Sequence, residues 1–145
     1  MAQNVNATFV KTPNWGAATI STGTSQNTPV TVYTGGANGS KIAGLVVGAF
    51  ATSAAFDLSW GVSSGGTLQI HGTASVAISA GNVSATPMVN LMATTSVALS
   101  LDSDGNPFVF LPSSAYTLQA RFAGASSLWQ TAAIMQIIAP SIGDF

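Results

Sequence analysis

The sequence predicts an all-β fold: an antiparallel β-sandwich, jelly-roll-like, entered by an extended N-terminal arm. Three observations carry this expectation. About eight to ten short runs of β-branched and aromatic residues recur at roughly ten-residue spacing. Gly, Asn, Asp and Ser punctuate the runs. Outside one late segment, windows long enough for a helix are broken by Gly, β-branched or Ser/Thr residues, so helices should be scarce. Many evenly spaced short strands with such turns read as a sandwich or jelly roll.

Residues 1–28 read as the arm. They are polar, rich in Asn and Thr and punctuated by Pro13 and Pro29, with short strand pieces expected at Ala7–Val10 and Ala17–Ile20. Trp15 is an isolated large apolar group there. It reads either as a plug against the core edge or as an anchor into a neighbouring subunit, because Trp is enriched at interface centres.

Residues 29–145 read as one sandwich domain. "VTVYT" alternates, and "KIAGLVVGAF" is a longer apolar run. "AFDLSWGV" places Phe56, Leu58, Trp60 and Val62 on one face. "TLQIHG" sets Leu68 and Ile70 opposite Gln69 and His71, and "SVAIS" follows with Val76 and Ile78. "TPMVNLMA", "SVALSL", "PFVFL", "YTLQARF" and "LWQTAAIMQII" complete the strand candidates. The last of these lies in the late segment, where Ser126 or Ser127 could cap a helix and Ile134, Ile137 and Ile138 fit helical spacing.

Composition narrows the function. The chain has 145 residues, enough for one domain with a real core. Hydrophobic residues make up 47% and charged residues only 5%. Ser and Thr together supply roughly a quarter of the chain, well above ordinary usage. A surface this neutral is adhesive, so much of it is expected to meet protein. The only basic residues are Lys11, Lys41 and Arg121, too few for the phosphate contacts of nucleic-acid binding or for an anionic membrane surface. No Cys is present, so disulfides, thiolate metal sites and thiol nucleophiles are excluded. The N-terminus lacks the basic and apolar regions of a signal peptide, and "IAGLVVGAFATSAAF" is too short to span a bilayer as a helix.

Several stretches imitate chemistry. "YTGGANGSKI" resembles a phosphate-cradling loop, but Gly35 and Gly39 are too close and Ser40 precedes Lys41, the reverse of the required order. Asn38-Gly39 is instead a strong hairpin signal. "GVSSG" matches G-x-S-x-G on paper, with His71 as the one possible base and Asp57, Asp102 or Asp104 as orienter. A strand precedes it and a strand follows, whereas the nucleophile elbow needs a helix after the turn. "LDSDGNPF" alternates Asp102, Asp104 and Asn106 like the start of a calcium loop, but no closing Glu exists anywhere in the chain. It reads equally well as a turn. A lone His cannot build a metal site. No catalytic set, no cofactor and no metal is therefore expected, and the chain reads as a non-enzyme.

Three pieces together resemble a family of small virion proteins of tailed bacteriophages: "VTVYTGGANGSKIAGLVV" as an opening strand–turn–strand, "FVFLPSSAYTLQARF" as a late hairpin with a Leu-Pro turn, and the terminal "GDF". The likeness covers Pro29 to Phe145. It departs at Gly35-Gly36, where the family pattern has Ala-Gly, and at Ser113-Ser114-Ala115 before Tyr116. The resemblance implies a jelly-roll sandwich on the outer surface of the phage head. The implied role is a capsid decoration or cement protein that binds the major capsid protein and itself, as a dimer or trimer, and bridges subunits. A tail, fibre-base or head-fibre component is the neighbouring alternative. A carbohydrate-binding sandwich for host attachment is a third, with Trp60, Trp129 and Tyr116 as candidate aromatics. The expected protein contacts are Phe9, Trp15 and Phe145.

Overall fold

A computed structural model describes residues 12–21, 24, 27–51, 55–123 and 134–145. Its strands are β1 (Thr12–Ser21), β2 (Val30–Thr34), β3 (Ser40–Ile42), β4 (Val46–Ala51), β5 (Phe56–Ser64), β6 (Thr67–Val76), β7 (Val89–Asn90), β8 (Ser100–Leu101), β9 (Pro107–Leu111), β10 (Tyr116–Phe122) and β11 (Ile134–Asp144). A 3-10 turn at Leu91–Thr94 is capped by the Asn90 side chain, which accepts from the Met92 amide.

The strands form two antiparallel sheets. One is seven-stranded in the order β7-β4-β11-β3-β9-β8, with β1 also paired to β11, and the other is four-stranded in the order β2-β10-β5-β6. β3 and β4 act as one strand interrupted at residues 43–45, since both lie antiparallel to β11 along the same edge. The main orders are then β1-β11-β3/β4-β9 and β2-β10-β5-β6, with the chain crossing between sheets at each step along these main strands except the β5–β6 hairpin, which is jelly-roll connectivity.

The alternating residues explain the core. Ile20, Ile42, Val47, Leu111, Met135 and Ile137 from the larger sheet meet Leu58, Trp60, Val76, Leu118 and Phe122 from the smaller one. Each large apolar side chain buried this way contributes about 1.5–3 kcal/mol. Leu91 and Met92 on the 3-10 turn belong to the same core.

Several expectations change on contact with the fold. Asn38-Gly39 makes a turn but not a hairpin. The Gly39 amide donates to Gly36 O at 3.0 Å, and the chain passes from β2 in one sheet to β3 in the other. The Leu-Pro turn does the same between β9 and β10. Both are sandwich corners, and they are packed together: a Cβ on Gly35 would lie 2.4 Å from Ser113 O, and the Gly35 amide donates to Tyr116 O. The two strands expected at "TLQIHG" and "SVAIS" are one continuous strand, β6, that ends at Val76. The late segment is strand from Ile134 onward, not helix. Asp104-Gly105 does turn a hairpin, β8 to β9, with Gly105 in the left-handed region at φ 81°.

Within residues 1–28, the expected strand piece at Ala17–Ile20 lies in β1, which pairs along β11 from Thr12↔Asp144 to Ser21↔Ile134. The extended segment thus joins the sheet from Thr12. Ala7–Val10 lies outside the described residues.

Candidate functional site

The sequence-derived contact residues separate. Phe9 lies outside the described residues. Trp15 sits on β1 at a register break between Asn14 and Gly16, and its amide donates to Asn14 Oδ1 at 2.9 Å. Its indole is 66% exposed. It is therefore not a plug against the core. Gly16 and Ile20, its neighbours on the opposite face of β1, take the buried positions.

Phe145 is half-buried against Phe110, with ring centroids 6.0 Å apart, and its amide donates to Gly39 O at 3.1 Å. Phe110 is itself exposed. The pair makes an aromatic surface patch next to the sandwich corners.

Beside that patch lies a polar cluster that sequence reasoning missed. The Tyr33 hydroxyl lies 2.8 and 2.7 Å from the two carboxylate oxygens of Asp144. Ser40 Oγ donates to Asp144 Oδ1 and accepts from the Gly36 amide at 2.7 Å. Asn14 Nδ2 donates to the Tyr33 hydroxyl at 3.1 Å and to Asp144 Oδ2 at 3.3 Å. Burial acts to raise the Asp144 pKa, but the hydrogen bonds from Ser40, Tyr33 and Asn14 outweigh it and hold the carboxyl below its ordinary value. Burial, followed by the bond to Asp144, pushes the Tyr33 phenol above its ordinary value. Every group here is turned on another group of the protein. The cluster ties β1, β2, β3 and β11 together rather than presenting a nucleophile. The Gly-Asp-aromatic ending was the visible signal, but nothing in the sequence named its partners.

The imitations of chemistry dissolve in the same way. "GVSSG" closes the β5–β6 hairpin, strand to turn to strand. Ser63 is buried opposite Leu68. His71 instead packs on Trp60, 5.7 Å between ring centroids, with Nδ1 2.9 Å from Gln69 O. Asp57 pairs with Ser75 at the far end of the hairpin. Ser63, His71 and Asp57 do not form a triad.

The loop at Asp102–Asn106 uses its own carboxylate. Asp102 Oδ1 accepts from the amides of Asn106 at 2.8 Å and Asp104 at 3.1 Å. Asp102 Oδ2 faces Lys41 Nζ at 3.4 Å, and that ammonium lies 4.8 Å from the centre of the Phe108 ring. The Asn106 amide first, then the Asp104 amide and Lys41, outweigh burial and hold the Asp102 pKa below its ordinary value. Lys41 thus supplies the positive charge that a cation would bring. Among the described residues no group of three or more His, Cys, Asp or Glu side chains could hold a metal.

A groove of about 370 Å³ opens between β6 of one sheet and the β8–β9 edge of the other. Val62, Leu99 and Val109 form part of its lining, with Phe108, Phe110 and Tyr116 as aromatics and Gln69, His71 and Ser100 as polar groups. No Lys, Arg, Asp or Glu lines it. Of the aromatics weighed for carbohydrate binding, Trp60 is fully buried, Tyr116 borders the groove, and Trp129 lies outside the described residues.

No family model matches this chain, and no curated protein and no solved structure matches it.

Proposed function

We propose that the chain is a non-enzymatic structural protein of a tailed-phage particle, a decoration or cement protein on the outer surface of the head that bridges capsid subunits. The observation that carries the reading is Trp15, 66% exposed on a strand with no charged residue, in a chain whose charged fraction is 5%. Such a surface is suited to being covered by protein, and an indole is a frequent anchor of interfaces. The jelly-roll order and the resemblance of the opening, late and terminal segments to small virion proteins support the same assignment. Cementing needs no reaction. Binding only the assembled shell stabilises it by mass action, and many copies add their small contributions.

Quantitative mass spectrometry of purified virions tests this. Abundance comparable to the major capsid protein supports decoration of the head. Trace abundance moves the chain to the tail, the fibre base or a head fibre. Absence from the particle overturns the virion assignment.

One observation favours a second reading. The groove, lined by no Lys, Arg, Asp or Glu and with Phe108, Phe110 and Tyr116 beside Gln69 and His71, has the aromatic-plus-amide composition of a carbohydrate site. Trp60 packs against His71 at the groove, so its fluorescence during glycan titration reports occupancy.

A further inference from the structure

Asn38-Gly39 carries the chain from β2 to β3, and the proposed function makes no use of it. Of the asparagines in the sequence, Asn38 alone is followed by Gly. In an open chain that pairing deamidates most readily, because Gly has no side chain to hinder ring closure and its backbone turns freely. Asn38 is exposed, but Gly39 is buried, at φ 101°. The Gly39 amide donates to Gly36 O at 3.0 Å, and its carbonyl accepts from the Phe145 amide at 3.1 Å. A Cβ on Gly39 would lie 2.9 Å from Phe110 Cζ and 3.1 Å from Leu111 O, so this backbone is pressed against β9. Ser40 Oγ, next in the chain, accepts from the Gly36 amide and donates to Asp144 Oδ1.

We propose that Asn38 is a latent deamidation site, held unreacted by the closed corner and converted only when the corner opens. In the reaction, hydroxide takes the proton of the Gly39 amide, and the nitrogen attacks Asn38 Cγ. The new N–Cγ bond closes a succinimide, the Cγ–Nδ2 bond breaks, and ammonia leaves. Water then opens the ring at either carbonyl. One opening restores the normal main chain with an aspartate at this position. The other leaves isoaspartate, whose main chain runs through Cβ and Cγ and is one carbon longer. The sum is an amide and water giving a carboxylic acid and ammonia, with no oxidant or reductant.

The folded corner blocks the first step. A buried, hydrogen-bonded amide gives up its proton only in a locally opened state. Three contacts oppose that opening: the Gly36–Gly39 bond, the Phe145 tether and the link from Ser40 to Asp144. The product acts in the other direction. A main chain one carbon longer does not fit the same turn against β9, so isoaspartate prevents the corner from closing again. Each opening thus risks a permanent change that frees the Phe145 amide and draws Ser40 from Asp144. The inference concerns ageing of the chain, so it stands or falls separately from the virion assignment.

Peptide mapping by mass spectrometry tests it, on the full chain kept at mildly alkaline pH in buffer and in denaturing guanidinium chloride. In denaturant, Asn38 is expected to convert first among the asparagines. In buffer its conversion is expected to be slower by about tenfold or more. Asp144→Asn loosens the corner and is expected to speed conversion in buffer. Gly61→Ala disturbs the β5–β6 ladder instead and is expected to leave the rate near that of wild type. Neither Ala37 nor Asn38 has a positive φ, so Asn38→Asp fits the turn. It is expected to keep the wild-type urea midpoint, whereas chain carrying isoaspartate loses part of it. Equal rates in buffer and denaturant, earlier reaction at another Asn in denaturant, or equal acceleration by the two variants overturns the proposal. So does an isoaspartate-containing chain whose midpoint matches that of Asn38→Asp. If Asp144→Asn does not fold, the wild-type rates in buffer and denaturant decide alone.

Discussion

The Tyr33 hydroxyl lies within 2.8 Å of both carboxylate oxygens of Asp144, although 111 residues separate them in sequence. This contact joins β2 of the smaller sheet to β11 of the larger one. It closes the end of the sandwich where both corner turns meet. Hydrogen bonds to a charged group contribute about 1.5–3 kcal/mol when partly shielded. Asp144→Asn keeps the shape and removes the charge, and is expected to cost about 1–3 kcal/mol in urea unfolding. Tyr33→Phe is expected to cost less, because Ser40 and Asn14 still donate to the carboxylate.

The same contact adds a pH dependence to stability at both extremes. The Asp144 carboxyl lies below its ordinary value of 3.8, so its contribution is complete above that pH and is lost as pH falls through the folded value. The Tyr33 phenol lies above its ordinary value of 10.0, so its contribution is complete below that pH and is lost as pH rises through the folded value. Urea midpoints measured against pH should fall at both extremes. Asp144→Asn should flatten the acid limb, and Tyr33→Phe the alkaline one.

Trp15→Ala should leave the fold intact. The indole is mostly in solvent, so the change in unfolding free energy is expected within about 0.5 kcal/mol. Retention on a hydrophobic-interaction column should drop in the same variant. Phe145→Ala is expected to behave differently. It removes the ring contact with Phe110 and should cost about 0.5–1.5 kcal/mol.

Two glycines give a sharp contrast. A Cβ on Gly61 would stand 1.8 Å from Gln69 O, a backbone atom of the adjacent strand. Gly61→Ala must spread the β5–β6 ladder and is expected to cost at least about 1–3 kcal/mol. A Cβ on Gly44 would meet only Pro140, with Cγ at 3.4 Å and Cδ at 3.5 Å, both ordinary contacts. Gly44→Ala is expected to stay within about 0.5 kcal/mol of wild type by thermal melting.

The strand content was legible because alternation is local. "VTVYT", "AFDLSWGV", "PFVFL" and "YTLQARF" become β2, β5, β9 and β10. What pairs with what was not legible. Asn38-Gly39 signals a turn, but whether its flanking strands pair depends on Gly35 fitting against Ser113, far away in sequence. The face of His71 was obscured for a related reason. Trp60 pairs with Gly72 and Gly61 with Ile70, so His71 is an extra residue in β6 and the simple alternation breaks there. Ile70 consequently points to solvent although its sequence pattern suggests core. The exposure of Trp15 could not be read at all, because an isolated Trp fits a core edge and an interface equally well. The Asp144 cluster stayed hidden because its partners, Asn14, Tyr33 and Ser40, come from three other strands.

β11 lies between β1 on one side and β3 and β4 on the other, and it follows all of them in the chain. During synthesis the earlier strands of the larger sheet therefore wait, with their central partner not yet made. The smaller sheet has no such delay once β10 emerges. Completion of the sandwich is thus a late, long-range event, slow by the standards of locally connected folds. Until it occurs, the apolar edges of β1 and β4 are open to the wrong neighbours, so yield in the cell should depend on how crowded the nascent chains are.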